Sequence, residues 1–298
     1  MVNEIQAGVP LRSAMRDVQA MLSAAGCPEP DVDARELVRL AAGQDPLLSE
    51  RLLTAPQAAQ LQADAARRAA RTPLQYIEGH WPFLDFELAV GEGVLCPRSD
   101  TEIVCEAAAE TLRGKQRPAV LDLCAGSGCL GIGLRRFCPD AQVTALEKSP
   151  EALYYLRQNA EKALLEKGIA APAVQVQEGD VFAFQAQLAP ESLDLIVSNP
   201  PYLTAEEMQH LQPEVAKEPA MALDGGEDGG VFYRHIAVAY GEKLKKGGWM
   251  VLEIGCAQQA QLREILAACD WAARVECRRD YGGNDRVILA QRGMERIR

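Results

Sequence analysis

From residue 119 onward the chain alternates short, nearly unbroken apolar runs with longer amphipathic stretches, and few architectures accept that pattern. The runs are Val120–Leu123, Val143–Leu146, Val174–Val176, Leu193–Val197, Met250–Ile254 and Val287–Ala290. A strand with one wet face alternates apolar and polar side chains. Several of these are apolar on successive residues, as strands covered on both faces are. Between them lie Pro150–Leu165, Phe232–Leu244 and Ala257–Ala268, which have helical character. The pattern predicts an α/β doubly wound sheet that takes its ligand at the carboxyl ends of the strands.

Composition changes near residue 75. Residues 1–75 carry 8 Arg, no Lys and 9 acids, a net of −1, and are rich in Ala, Leu and Gln. Leu11, Met15, Val18 and Leu22, then Leu37, Val38, Leu40 and Ala41, recur at helical spacing. Pro28, Pro30, Pro46 and Pro56 separate the runs, with Asp31, Ser49 and Thr54 placed as caps. This predicts an N-terminal helical bundle over residues 1–75. In Tyr76–Pro97, Trp81, Phe83, Phe86, Leu88, Val90, Val94 and Leu95 are interleaved with Gly79, Pro82, Gly91 and Gly93, which predicts a β-hairpin linker over 76–97. Ser99-Asp100-Thr101-Glu102 has the form of a capping box, opening the third part, 98–298, with a helix through Val104 and Leu112.

Of the net charge of −11, −10 falls after residue 75. A chain that grips nucleic acid stably needs a surplus of cations. The tight basic clusters here are Arg67-Arg68 with Arg71, Lys245-Lys246 and Arg278-Arg279, read as solvated faces. The start of the chain lacks the basic and apolar regions of a leader. The most apolar long stretch, Val120 to Leu134, is broken by Asp122 and four glycines. A cytoplasmic protein without membrane attachment is therefore expected. The nine cysteines are odd in number, show no Cys-x-x-Cys spacing and have only three histidines for company, so reduced thiols and no metal are expected.

Two motifs carry the chemistry. In Val120-Leu-Asp-Leu-Cys-Ala-Gly-Ser-Gly-Cys, Gly126 and Gly128 follow a strand and precede a helix, where glycine lets backbone approach a ligand closely. Cys124, Ala125 and Ser127 complete that turn. Glu147 ends the next strand, placed for ribose hydroxyls, and Asp180 beside Val181 follows the third, placed for an adenine amine. A nicotinamide oxidoreductase would use a similar turn. Asp122, however, puts a negative charge near the ligand, which repels a pyrophosphate and attracts the sulfonium and ammonium of S-adenosylmethionine.

The second motif is Ser198-Asn199-Pro200-Pro201-Tyr202, at the end of the fourth strand. Two prolines remove two N–H donors and stiffen the loop. Asn199 Oδ1 and the Pro200 carbonyl then offer two acceptors to one planar –NH2 group, and Tyr202 offers an aromatic face. Such a site suits methyl transfer to a planar nitrogen: adenine in DNA, guanine in RNA or glutamine in protein. An oxidoreductase leaves this motif without a role. A noncatalytic module that merely retains S-adenosylmethionine does not explain the intact acceptors.

Further segments narrow the choice. They are Pro73-Leu-Gln-Tyr-Ile-Glu-Gly with Phe83, Pro97-Arg-Ser-Asp-Thr-Glu102, and Glu218-Pro-Ala-Met-Ala-Leu-Asp-Gly-Gly-Glu-Asp-Gly229 with Tyr233-Arg234. Leu252-Glu-Ile-Gly255 with Gln258, and Asp280-Tyr-Gly-Gly-Asn-Asp-Arg286, follow in order. With the two motifs they resemble the release factor glutamine methyltransferases (PrmC, also called HemK) over most of the chain after residue 72. The resemblance implies a Rossmann-like methyltransferase sheet using S-adenosylmethionine, with Cys124 to Gly128, Glu147, Asp180 and Val181 around the cofactor. It implies that Asn199, Pro200 and Tyr202 hold the glutamine of the Gly-Gly-Gln loop of class I peptide chain release factors, and that the N-terminal helices help dock that partner. Cys124 and Ala125 stand where the family usually has Gly and Thr, and Val181 where some members have a bulkier residue. Ser99-Asp100 replaces the usual Pro-Glu. The Pro97-Arg-Ser variant is similar to the enzymes that methylate a glutamine of ribosomal protein L3, which makes L3 the alternative substrate; a DNA adenine methyltransferase would need a basic surface.

Overall fold

The computed structural model describes residues 4–165 and 174–294; the first three residues of the stretch read for a leader lie outside them. The chain forms two compact units, one of Met1–His80 with Gln212–Lys217, the other of Trp81–Leu211 with Glu218–Arg298.

The first unit is built from α1 (Leu11–Ala24), α2 (Pro30–Ala42), α3 (Ala55–Ala69) and the short α4 (Leu74–Glu78). Leu11, Val18 and Leu22 of α1 and Leu37 and Val38 of α2 are buried, as their spacing predicts. Leu40 is exposed. The Thr54 N–H donates to the Gln57 side chain (3.0 Å) at the start of α3. Asp31 lies inside the first turn of α2, after the N-cap Glu29. Arg68 is almost fully buried and is neutralised by Asp33 (2.7 Å) and by Glu214 (2.8 Å), which also pairs with Arg71 (2.6 Å). These two arginines, read as a solvated face, instead anchor the unit.

β1 (His80–Phe83) and β2 (Phe86–Ala89) form the expected hairpin, but Tyr76 belongs to α4 and not to a strand. The second unit then runs α5 (Ser99–Thr111), β3 (Ala119–Leu123), α6 (Cys129–Phe137), β4 (Gln142–Glu147), α7 (Pro150–Leu165), β5 (Val174–Glu178), α8 (Val181–Phe184), β6 (Leu193–Ser198), α9 (Val231–Tyr240), β7 (Leu244–Glu253), α10 (Gln259–Ala267), β8 (Ala272–Arg279) and β9 (Asp285–Arg292). The sheet order is β5-β4-β3-β6-β7-β9-β8, parallel through β7 and antiparallel at β9 and β8.

Successive residues of one strand feed opposite cores. Val120, Leu195, Val197 and Val251 pack on one face, and Leu121, Leu123, Ile196, Met250 and Leu252 on the other. All six residues of β6 are buried, which explains its mostly apolar run; the one charge in it, Asp194, is paired with Lys115 and Lys245. The Ser99–Glu102 capping box does not form. Arg98 is the N-cap of α5, and Glu102 instead accepts from the Leu84 N–H (2.6 Å). The nine cysteines are unpaired; Cys27, Cys96 and Cys105 are buried, whereas Cys256 is exposed. Among the described residues, no helix is long and apolar enough to cross a membrane.

Candidate active site

The order of strands fixes where the site lies. The chain leaves β3 for β4 on one side and returns on the other side at β6, so the connections diverge between β3 and β6. A crevice opens at the carboxyl ends of strands at such a point. Leu123 is paired with Ser198, Leu146 with Leu123, and Leu252 with Ser198. Cys124, Asn199, Glu147 and Glu253, each one residue beyond, therefore emerge side by side.

A cleft enclosing about 1040 Å³, open solvent at its mouth included, occupies this place. Asp122, Cys124, Ala125, Gly126, Ser127, Glu147, Asp180, Val181, Asn199 and Pro201 line it. Gly128, Pro200 and Tyr202 do not. Gly128 caps α6 at φ +86°, and a Cβ there would lie 2.4 Å from Leu156 Cδ1, so the turn needs glycine for backbone and for space. Cys124 also takes a left-handed φ of +57°, strained for a residue with a Cβ.

Glu147 does more than wait for a ligand. Its Oε2 accepts from the Gly126 N–H (2.8 Å), and its Oε1 from the N–H groups of Lys148 (2.7 Å) and Ser149 (2.8 Å). A carboxylate has about four lone-pair positions. Three are filled, which leaves room for one hydroxyl in this arrangement rather than the two expected. Asp180 accepts from Lys148 Nζ (2.8 Å) and the Phe182 N–H (2.9 Å), and the Lys148 contact, then the backbone bond, holds its carboxyl below the usual range.

Asp122 is 1% exposed, and its Oδ2 accepts from the Gly131 N–H (2.8 Å). Its Oδ1 has no hydrogen-bond partner among the described residues. Burial pushes this carboxyl up to about 8. The negative charge inferred from the sequence is thus largely neutralised by a proton at pH 7, and an arriving cation would restore it. Once that proton is lost, the orphaned Oδ1 is an anionic acceptor, which fits the ammonium-bearing end of S-adenosylmethionine and repels a phosphate.

The Asn-Pro-Pro-Tyr loop is held from behind. The Ser198 hydroxyl donates to Leu123 O (2.6 Å), joining β6 to the glycine turn. Gln258 Nε2 donates to Tyr202 O (2.9 Å), while Gln258 Oε1 accepts from the Gly255 N–H (2.9 Å). Leu203 and Leu223 are bonded through backbone (2.9 Å), and Gly229 lies so close that a Cβ would sit 2.3 Å from Tyr202 O. Tyr202 packs against the core on the α9 face, so its ring supports the loop and does not line the cleft. Burial pushes its hydroxyl pKa up.

The remaining wall comes from segments the sequence named without a role: Gly93–Pro97 and Thr101, Pro219, Met221 and Ala222, and Phe232. Glu218, nearly buried, ties two of these together by accepting from the Cys96 N–H (3.2 Å) and pairing with Arg98. His235 lies against Phe182 with ring centroids 4.7 Å apart and the rings tilted by 46°, and its Nε2 is 3.0 Å from Val181 O.

Comparison with known proteins bears on the same parts. Residues 98–236 match the Methyltransferase small domain family, and residues 13–79 match the PrmC N-terminal domain. The release factor glutamine methyltransferase of Moorella thermoacetica is 36% identical over 289 residues, covering 96% of this chain and 99% of that protein. The chain belongs to the release factor glutamine methyltransferase family. The Geobacter sulfurreducens member is 40% identical over 226 residues, 75% of this chain and 74% of its own. The hMettl16 catalytic domain, solved with a MAT2A 3'UTR hairpin 1, shares the fold alone (TM-score 0.51, 15% identity, 83% of this chain and 85% of that one). Family membership identifies the cofactor as S-adenosylmethionine and the reaction as protein glutamine-N5 methylation.

Proposed function

We infer that this chain methylates the side-chain amide nitrogen of the glutamine in the Gly-Gly-Gln loop of class I peptide chain release factors. The observation that carries the reading is the single cleft in which Asn199 stands one residue past the Leu123–Ser198 pairing, next to the glycine turn. Bound S-adenosylmethionine supplies a methyl group activated by its sulfonium charge. The chain's own part is placement. Asn199 Oδ1, which lines the cleft, accepts an amide hydrogen and so turns the otherwise delocalised lone pair toward the cofactor. Asp122, Glu147 and Asp180 hold the cofactor's polar groups. Pro200 and Pro201 keep that acceptor from relaxing, and Tyr202 braces it from the core side.

The helical unit, with its family match at residues 13–79, is the part we assign to holding the body of the release factor. A reaction on a translation factor implies a cytoplasmic protein. The test is methyl transfer from labelled S-adenosylmethionine to purified release factor, with ribosomal protein L3 in competition. Release factor should take the label, and Asn199→Ala should abolish transfer while S-adenosylmethionine still binds. Label in L3 alone, or in DNA, would overturn the assignment.

A further inference from the structure

Glu253 is a buried carboxylate whose side chain is held by one hydroxyl and no salt bridge among the described residues. It ends β7 and is 1% exposed. Burying an uncompensated carboxylate is costly. Its Oε2 accepts from the Thr101 hydroxyl (2.7 Å), near the start of α5 and also 1% exposed. A hydroxyl has one proton to give. With that proton directed at Glu253, Thr101 Oγ1 can only accept on its other side, and there Asn199 Nδ2 donates to it (3.4 Å).

The two branches of an asparagine amide are almost the same in shape, so hydrogen bonding decides which way it points. We propose that Glu253 and Thr101 are positioning residues that orient the Asn199 amide, fixing its donor inward and leaving its acceptor for the substrate amide. The proposal rests on the functional reading above. Turned the other way, Asn199 would present –NH2 to –NH2, losing one bond and opposing a donor with a donor.

The chain of donors also predicts a pH response. The groups around Glu253 are Arg286, Arg98, Asp100, Tyr202, Tyr233 and Cys129. Arg286 is held by Asp100 and Asp280, each at 3.2 Å, and Tyr233 donates to the Glu253 backbone carbonyl (2.9 Å). Burial raises the Tyr202, Tyr233 and Cys129 groups further from neutrality, and brings the Glu253 carboxyl to about 7. Once protonated, Glu253 can donate to Thr101, which then donates to Asn199 Oδ1 and occupies the acceptor. Turnover should therefore fall as pH drops through neutrality, even with cofactor saturating.

The experiment compares wild type, Thr101→Val and Thr101→Ser on release factor, at saturating S-adenosylmethionine, from pH 6 to 9. Thr101→Val should lower kcat about 10- to 100-fold, the scale of one oriented hydrogen bond. It should leave the calorimetric Kd for S-adenosylmethionine within about twofold and abolish the acid limb. Thr101→Ser keeps the hydroxyl and should recover most of the rate and the limb. If Thr101→Val turns over within twofold of wild type, or if Ser is as impaired as Val, the positioning role is wrong although the functional reading stands. A wild-type protein that leaves release factor unlabelled removes that reading and this inference with it.

Discussion

Replacing Asp122 with asparagine should stabilise the ligand-free sheet unit at neutral pH while weakening its hold on S-adenosylmethionine. Asparagine copies the shape of the protonated carboxyl and can keep the Gly131 bond. The Asp122 carboxyl is raised by burial from 3.8 to about 8, so at pH 7 the folded protein holds a proton that the unfolded chain has released. A group raised in this way contributes its full stability below pH 3.8 and loses it as pH rises toward 8. At about 1.36 kcal/mol per unit, moving from pH 5 to pH 7.5 should widen the advantage of the variant by about 3 kcal/mol, an upper bound because buried charges relax. Glu253, raised in the same sense, slopes equally in both proteins and cancels. The measurement is urea denaturation followed by tryptophan fluorescence. Trp81, Trp249 and Trp271 all lie in the sheet unit, so the helical unit is silent. Calorimetry at pH 7 should show wild type releasing a proton on binding S-adenosylmethionine and the variant releasing none. An advantage that is the same at both pH values, or an unchanged cofactor affinity, would refute the reasoning.

Other expectations follow from neighbouring contacts. Gly229→Ala puts a Cβ 2.3 Å from Tyr202 O at a φ of +69°, so kcat should fall about 100-fold through displacement of the Asn199 loop, with cofactor binding by calorimetry little changed. At Cys124, whose φ is +57°, glycine should be more stable than alanine by about 1 kcal/mol in denaturation, the reverse of their order inside a helix. Glu214→Gln should weaken the helical unit by about 2 kcal/mol in thermal melts followed by circular dichroism. Although burial works the other way, the bonds from Arg71 and Arg68 hold the Glu214 carboxyl down at about 2. The wild-type advantage should therefore be full above pH 4.5 and vanish as pH falls through 2.

What the sequence made legible was the part whose signal is local. The apolar runs mark β3, β4, β6 and β9 closely because both faces of those strands are covered, and the glycine turn and Asn199–Tyr202 stand at their ends. Strand β8 escaped notice because Ala272–Arg279 lies at the sheet edge, half-exposed and studded with Arg and Glu. The predicted helix Phe232–Leu244 gives out at Tyr240, where Gly241 lies so close to the Trp271 indole that a Cβ would meet it at 2.0 Å. β7 begins at Leu244, six residues ahead of the apolar run at Met250, and passes through Lys245-Lys246-Gly247-Gly248. Within the site, the roles of Glu253, Thr101 and Gln258 depend on partners 56 to 152 residues away, and no spacing rule reaches that far.

The charge cluster that anchors the helical unit has a consequence for the order in which the protein is made. Arg68 is buried early in the chain, yet one of its two carboxylate partners, Glu214, follows 146 residues later. At about 5–20 residues per second, the ribosome needs on the order of 10 s to add that stretch. During that interval helices α1 to α3 can pack, but Arg68 has only Asp33 and Arg71 has no carboxylate. The unit that comes first from the ribosome is therefore among the last to close, and it should stay susceptible to proteases until residue 217 has emerged.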